Sequence, residues 1–176
     1  MAQLFYIIGA SGVGKDSLMQ YARQAINGSA PLVFAHRYIT RPPESNENHI
    51  HLTPEEFISR RDGGLFALQW ESHGLSYGIG REIDLWMGKG FHVVVNGSRA
   101  YLPEARKIYP QLVPVMIEAD PEIIRQRLEG RGRETPGEIE KRLLRKPPEP
   151  TEDLVTIRND GTLREGGAAL VALLTQ

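Results

Sequence analysis

The chain of 176 residues contains no cysteine. That excludes disulfide staples, thiol nucleophiles and any zinc site built on thiolates. Excess charge is also missing: 21 Lys and Arg stand against 22 Asp and Glu, a formal charge of −1. Proteins that coat nucleic acid usually carry a basic excess, so no nucleic-acid partner is expected, although a local basic cluster is compatible with the balance. No apolar run approaches the ~18 residues of a membrane span, and no basic residue precedes Lys15 as the start of a secretory signal would require. The expectation is a soluble cytoplasmic protein with no membrane partner. The length suits one domain, large enough to bury roughly 70% of its unfolded surface without a covalent staple.

What is present is an alternation of short strands and helices. Leu4 to Ile8 is an apolar run rich in β-branched and aromatic residues, followed by glycines and then by Leu18, Met19, Ala22 and Ala25 at helical spacing. Gly90 to Val95 and Val113 to Glu118 read as further strands, with helices over Ala100 to Ile108 and from Pro121 through Ile124 and Leu128. Leu154 to Ile157 reads as a last strand and Leu163 to Leu174 as a closing helix. This pattern predicts an α/β fold, a parallel sheet with helices on both faces.

Two segments break the alternation. Residues ~36–82, rich in Arg, His, Asn, Ser and Pro, read as an inserted lobe that handles polar ligand, after a first unit at 1–35. Residues ~125–146 carry Arg125, Arg127, Arg131, Arg133, Lys141, Arg142 and Arg145 around Gly130, Gly132 and Gly137. A charged helix interrupted by glycines reads as a mobile lid or as a solvated face.

Gly9-Ala10-Ser11-Gly12-Val13-Gly14-Lys15 fits the first seven positions of the phosphate-loop pattern, in which backbone N–H groups wrap phosphates and the lysine neutralises the outer ones. By composition alone such a match turns up in about one chain in twenty of this length. Its context is the stronger signal, because the loop follows an apolar strand directly and precedes an amphipathic helix. Where Ser or Thr normally holds Mg²⁺ the chain has Asp16, then Ser17. Either residue is a candidate metal ligand, and Asp16 is equally a favourable acid in a helix's first turn.

Tyr38-Ile39-Thr40-Arg41-Pro42-Pro43 resembles the segment with which guanylate kinases hold the phosphate of their acceptor. Leu52 to Phe57 is similar to that family's helix start, Gly74 to Gly78 to its tyrosine-bearing segment, Arg127 to Gly132 with Arg142-Leu143 to its lid, and Asn159-Asp160 to its last strand end. The resemblance implies a guanylate-kinase-like phosphate-loop kinase. It implies acceptor phosphate at Arg41 and Tyr77, nucleotide at residues 9–17 and near Asn159, and ATP with Mg²⁺ as cofactors. Aligned on Phe66 and Gly74, the glutamate and serine that read guanine fall on Leu68 and Ile79, and the strand-end aspartate on Asn96. A buried guanine edge facing Leu and Ile would lose ~1–3 kcal/mol for each unpaired polar group, so GMP is expected to be a poor acceptor.

A phosphate anchor without a base pocket resembles the ribose 1,5-bisphosphate phosphokinases, guanylate-kinase-like enzymes of bacterial phosphonate breakdown. The segments that carry this resemblance are Gly14 to Leu18, His36 to Arg41, Glu47 to Ile50, Glu82 to Trp86, Val95 to Arg99 and Arg131 to Glu134. The implied reaction moves the γ-phosphoryl group of ATP to the 1-phosphate of a small sugar bisphosphate. An acceptor phosphate has a second pKa near ~6, so it is an anion already and needs no base. Catalysis then rests on charge neutralisation by Lys15, Mg²⁺ and the lid residues Arg131 and Arg142. Glu47, Asn48, His49, Asn96, Ser98 and Arg99 are candidates for the sugar hydroxyls and the 5-phosphate, each singly also an ordinary turn or capping residue. His49 and His51 are not expected to hold a metal, and Trp70 and Trp86 read as packing residues. The competing expectations are a nucleoside monophosphate kinase and a non-catalytic module of the same fold.

Overall fold

The computed structural model describes residues 1–43, 48–144 and 153–176. In chain order the elements are β1 (Leu4–Gly9), α1 (Lys15–Ile26), β2 (Leu32–Phe34), β3 (Arg37–Ile39), β4 (His49–His51), α2 (Pro54–Asp62), β5 (Phe66–Ser72), β6 (Leu75–Gly80), α3 (Glu82–Gly88), β7 (His92–Asn96), α4 (Leu102–Ile108), β8 (Val113–Glu118), α5 (Pro121–Arg131), α6 (Pro136–Leu143), β9 (Val155–Arg158) and α7 (Leu163–Leu174).

The main sheet has the order β2-β7-β1-β8-β9 and all its neighbours are parallel. β1 lies in its middle, covered on both faces, which is why its sequence is apolar without alternation. Register places Leu4 and Tyr6 beside Val93 and Val95 on one face, and Phe5 beside Val94 on the other. Leu18, Ala22 and Ile26 of α1, Ile124 and Leu128 of α5, and Leu170 and Leu174 of α7 cover the Phe5 face. Ala25, expected on the apolar side of α1, is exposed, because the buried row runs at i+4 through Leu18, Ala22 and Ile26. Ile83 of α3, Leu102 and Ala105 of α4, and Leu68 and Ile79 from the lobe cover the Tyr6 face.

The lobe has more core than its composition suggests. Its second sheet, ordered β4-β3-β6-β5, is antiparallel except where β3 meets β4. One side packs Tyr38 and Phe66 against Leu52 and Phe57, beneath α2, whose start is fixed by a reciprocal cap between Thr53 and Glu56 at 3.1 Å each way. The other side turns toward the main sheet. β5 and β6 are joined by His73-Gly74, both at positive φ (51° and 76°), the backbone that a two-residue hairpin with the sheet's twist requires.

The charged segment is two helices, not one helix interrupted by glycines. Gly130 lies inside α5 and Gly137 inside α6, and the break falls at Gly132, at φ 64°. Thr135 then starts α6 by accepting from the Glu138 N–H at 3.2 Å.

Candidate active site

The loops after β1 and β7 leave the carboxyl ends of the parallel strands, where such sheets bind ligands, and the second sheet and the α5–α6 segment complete the site. The loop after β1 needs glycine at Gly12 and Gly14, which adopt φ 88° and 84°. A Cβ at Gly12 would meet Leu128 Cγ at 2.9 Å, and one at Gly14 would meet Asn159 Nδ2 at 2.6 Å. Gly14 also supplies no side-chain cap to α1, so the orphan N–H groups of the first turn stay open to an anion.

The loop is braced from behind. Asn159 Nδ2 donates to the Val13 carbonyl at 2.6 Å, and Arg127 Nη1 donates to the same oxygen at 3.1 Å and to the Gly12 carbonyl at 3.4 Å. Arg127 Nη2 donates to the Asn159 carbonyl at 2.8 Å, closing the network. In a trans peptide, carbonyl and N–H point opposite ways. Holding the Val13 carbonyl at the back therefore turns the Gly14 N–H forward.

In front lies an open cleft of ≈1410 Å³, larger than the ~300–1,000 Å³ typical for one small ligand and so roomy enough for two. Gly9, Ser11 and Lys15 line it from the loop, Arg37, Arg41, Trp70 and Tyr77 from the lobe, and Arg131, Arg133 and Arg142 from the far side. Lys15 Nζ donates to the Gly97 carbonyl at 3.4 Å. Burial first, then the positive charge of Arg37, pulls the Lys15 ammonium down to about 8; Asp16 opposes this and Arg99 adds to it. Gly97 rests on the ring of Tyr6, which a Cβ would overlap. The Tyr6 hydroxyl donates to the Ser98 carbonyl at 2.9 Å and accepts from the Ser98 N–H at 3.0 Å. Arg142 donates to Ser11 Oγ and pairs through Nε with Glu134 Oε2 at 2.6 Å, so α6 already touches the loop.

The expected site residues divide in four. Lys15, Arg41, Tyr77, Ser98, Arg99, Arg131 and Arg142 share the main cleft, while Asp16, Asn48 and Asn96 line a smaller pocket beside it. Glu47 and Arg145 lie outside the described residues. His49 and Asn159, expected at ligand, are largely buried and make protein contacts. His49 is 8% exposed with Nε2 3.0 Å from the Arg41 carbonyl, so it supports the Arg41 turn from beneath. Asn159 is 5% exposed and braces the loop.

Leu68 and Ile79 are core residues rather than cleft residues. They are directly paired across β5 and β6, 1% and 0% exposed, and packed into the core with Tyr6, Val95 and Leu102. The positions that align with the guanine-reading residues are therefore filled core. On the same face, two residues nearer the cleft, Trp70 stacks on Tyr77 with ring centres 5.6 Å apart and on Tyr101 at 5.5 Å. Arg37 covers the Tyr77 ring at 5.4 Å. The sequence reading missed the placement of Arg37, Arg127 and Trp70. Arg37 alone had a local signal, its place in the strand that leads to Arg41.

Among the described residues no three His, Asp or Glu side chains gather as a metal cage. A divalent cation here would take most of its ligands from phosphate and water, as Mg²⁺ does. Asp16 fits that demand: it follows Lys15, and one carboxylate oxygen accepts from Asn96 Nδ2 at 2.9 Å. Ser17 follows on the same turn.

Fold and site together define a phosphate-loop kinase of the guanylate-kinase-like class. The structure matches the crystal structure of guanylate kinase from Anaplasma phagocytophilum with a TM-score of 0.66, 18% identity, and coverage of 98% of this chain and 84% of that one. No family model matches the chain. Proteins named ribose 1,5-bisphosphate phosphokinase PhnN are much closer in sequence. That of Thiobacillus denitrificans is 53% identical over 98% of this chain and 93% of its own length, and that of Desulfomicrobium baculatum 54% identical over 100% and 96%. The chain belongs to the ribose 1,5-bisphosphate phosphokinase family.

Proposed function

We propose that this protein transfers the γ-phosphoryl group of ATP to the 1-phosphate of ribose 1,5-bisphosphate, giving 5-phosphoribosyl 1-diphosphate and ADP. The observation that carries the reading is the filled core at the aligned base-reading positions, Leu68 and Ile79, beside an intact row of cleft residues, Lys15, Arg41 and Tyr77. The aligned base-reading positions, buried in the core, offer no polar partner to the base of a nucleoside monophosphate. A non-catalytic module has no use for a braced phosphate loop with a lysine and lid arginines. The names of the relatives agree with the reading.

In this mechanism the loop N–H groups and Lys15 hold the β- and γ-phosphates of ATP; Asp16 or Ser17 would hold Mg²⁺, which would supply further neutralisation of their charge. Arg41 and the Tyr77 hydroxyl hold the acceptor 1-phosphate, whose oxygen attacks as an anion without a base. The barrier is repulsion between two anions, so Lys15, Arg131 and Arg142 work by offsetting negative charge on the transferring group and excluding water. The units 1–35, 36–82 and 125–146 then act as nucleotide site, acceptor lobe and lid. Among the described residues no helix is long and apolar enough to cross a membrane, and a cytoplasmic setting in phosphonate breakdown goes with the family. The test is ADP release with ATP and Mg²⁺ on either ribose 1,5-bisphosphate or GMP. Turnover of the sugar bisphosphate is expected, and efficient turnover of GMP alone would overturn the assignment.

A further inference from the structure

Beside the main cleft is a pocket of ≈130 Å³ lined by Asp16, Gln20 and Arg23 of α1, Arg37 of β3, Asn48, and Asn96 at the end of β7. Arg37 lines both spaces, so they meet at its side chain. The volume is well below the ~300 Å³ at which pockets begin to hold a whole drug-sized ligand. It suits one terminal group of a molecule whose remainder lies in the main cleft.

The chemistry of the walls narrows that group. Arg23 and Arg37 bring two guanidinium forks, suited to phosphate oxygens. Among the described lining residues Asp16 is the anion, and its carboxylate is already satisfied in part by Asn96 Nδ2 at 2.9 Å. The other end of that amide, Asn96 Oδ1, is buried with no hydrogen-bond partner among the described residues. Such an acceptor is costly unless a ligand supplies a donor. The positive field reaches further along this edge: His36 is held below the ordinary histidine range by burial and next by the charge of Arg23. Arg106, on the opposite wall of the main cleft, pairs with Asp153 at 3.1 Å.

We infer that this pocket receives the second phosphate of the acceptor, the one that does not react, on Arg23 and Arg37, with a sugar hydroxyl donating to Asn96 Oδ1. The inference rests on the proposed function, which requires an acceptor with two phosphates and places the reacting one at Arg41 and Tyr77. It adds a selection rule: an acceptor must end in a compact anion, because a neutral base is too large for the pocket and is not attracted by it.

The test compares ribose 1,5-bisphosphate with ribose 1-phosphate, which lacks the second phosphate, as acceptors for the wild type, Arg23→Gln and Arg37→Gln, using ADP release at saturating ATP and Mg²⁺. The wild type should prefer the bisphosphate in kcat/KM. Arg23→Gln should cut that preference at least tenfold, chiefly through KM for the bisphosphate, with KM for ATP within twofold. Arg23 is an exposed helix residue, so circular dichroism should show an unchanged fold. A wild-type preference retained within twofold in both variants overturns the inference while leaving the proposed function standing. Absence of wild-type turnover on the bisphosphate overturns both.

Discussion

The Lys15 ammonium is tied to the carbonyl of Gly97, 82 residues away, at 3.4 Å. Gly97 in turn lies on the Tyr6 ring, so the phosphate-loop lysine is aimed by β1 and the end of β7 together. The same position desolvates it and exposes it to Arg37, which lowers it to about 8.

A bound triphosphate adds negative charge and restores the ordinary lysine range, so ATP binding takes up a proton when measured near pH 8. Affinity for ATP should therefore be highest below pH 8 and fall as pH rises through it. Calorimetric titration in buffers of different ionisation enthalpy reads the uptake, which should vanish in Lys15→Ala along with a loss of orders of magnitude in kcat. The unliganded protein follows the opposite sign. Between about 8 and the unfolded lysine value the unfolded chain binds the extra proton, so stability gained from this residue rises with pH across that window. At pH 7 Lys15→Met should melt above the wild type.

Leu68→Glu restores a carboxylate where guanylate kinases read their base, yet it should not produce a GMP kinase. The side chain is 1% exposed in the core with Tyr6 and Leu102. An unpaired buried acid there costs on the order of 3 kcal/mol or more. The expected result is a lowered Tm and no GMP turnover; a stable variant that phosphorylates GMP would show that the pocket opens.

Arg127→Ala should loosen the phosphate loop. The guanidinium holds the Gly12, Val13 and Asn159 carbonyls at 2.8 to 3.4 Å, a fork that lysine cannot reproduce. KM for ATP should rise about tenfold, on the order of one charged hydrogen bond, and Arg127→Lys should recover little of it.

Arg142→Ala should act differently, because its partners Ser11 and Glu134 lie on the cleft side. If the arginine offsets charge during transfer, kcat falls ten- to a hundredfold while KM for ATP changes by less. Equal losses in both variants would assign Arg142 to nucleotide binding instead.

In the main layer β1, β7, β8 and β9, with α1, α4, α5 and α7, were legible in the sequence, whereas the edge strand β2 and helix α3 were not. Val113–Glu118 and Leu163–Leu174 have the bounds their patterns predict, because apolar runs and helix-start residues act locally. The phosphate loop was legible for the same reason: its glycines answer to local backbone geometry. The lobe strands were not, since β3 and β4 have three residues each, too few to show a period. Nor were the roles of Leu68, Arg127 and Asn159. Arg127 meets Val13 across 114 positions and Asn159 meets it across 146. The sequence by itself determined a phosphate loop after the first strand of an α/β fold and, by its resemblance, a kinase. Only the tertiary structure decided that the positions aligned with the guanine-reading residues are filled core and that two distant polar residues brace the loop, because burial and hydrogen-bond partners belong to pairs of residues brought together from different parts of the chain.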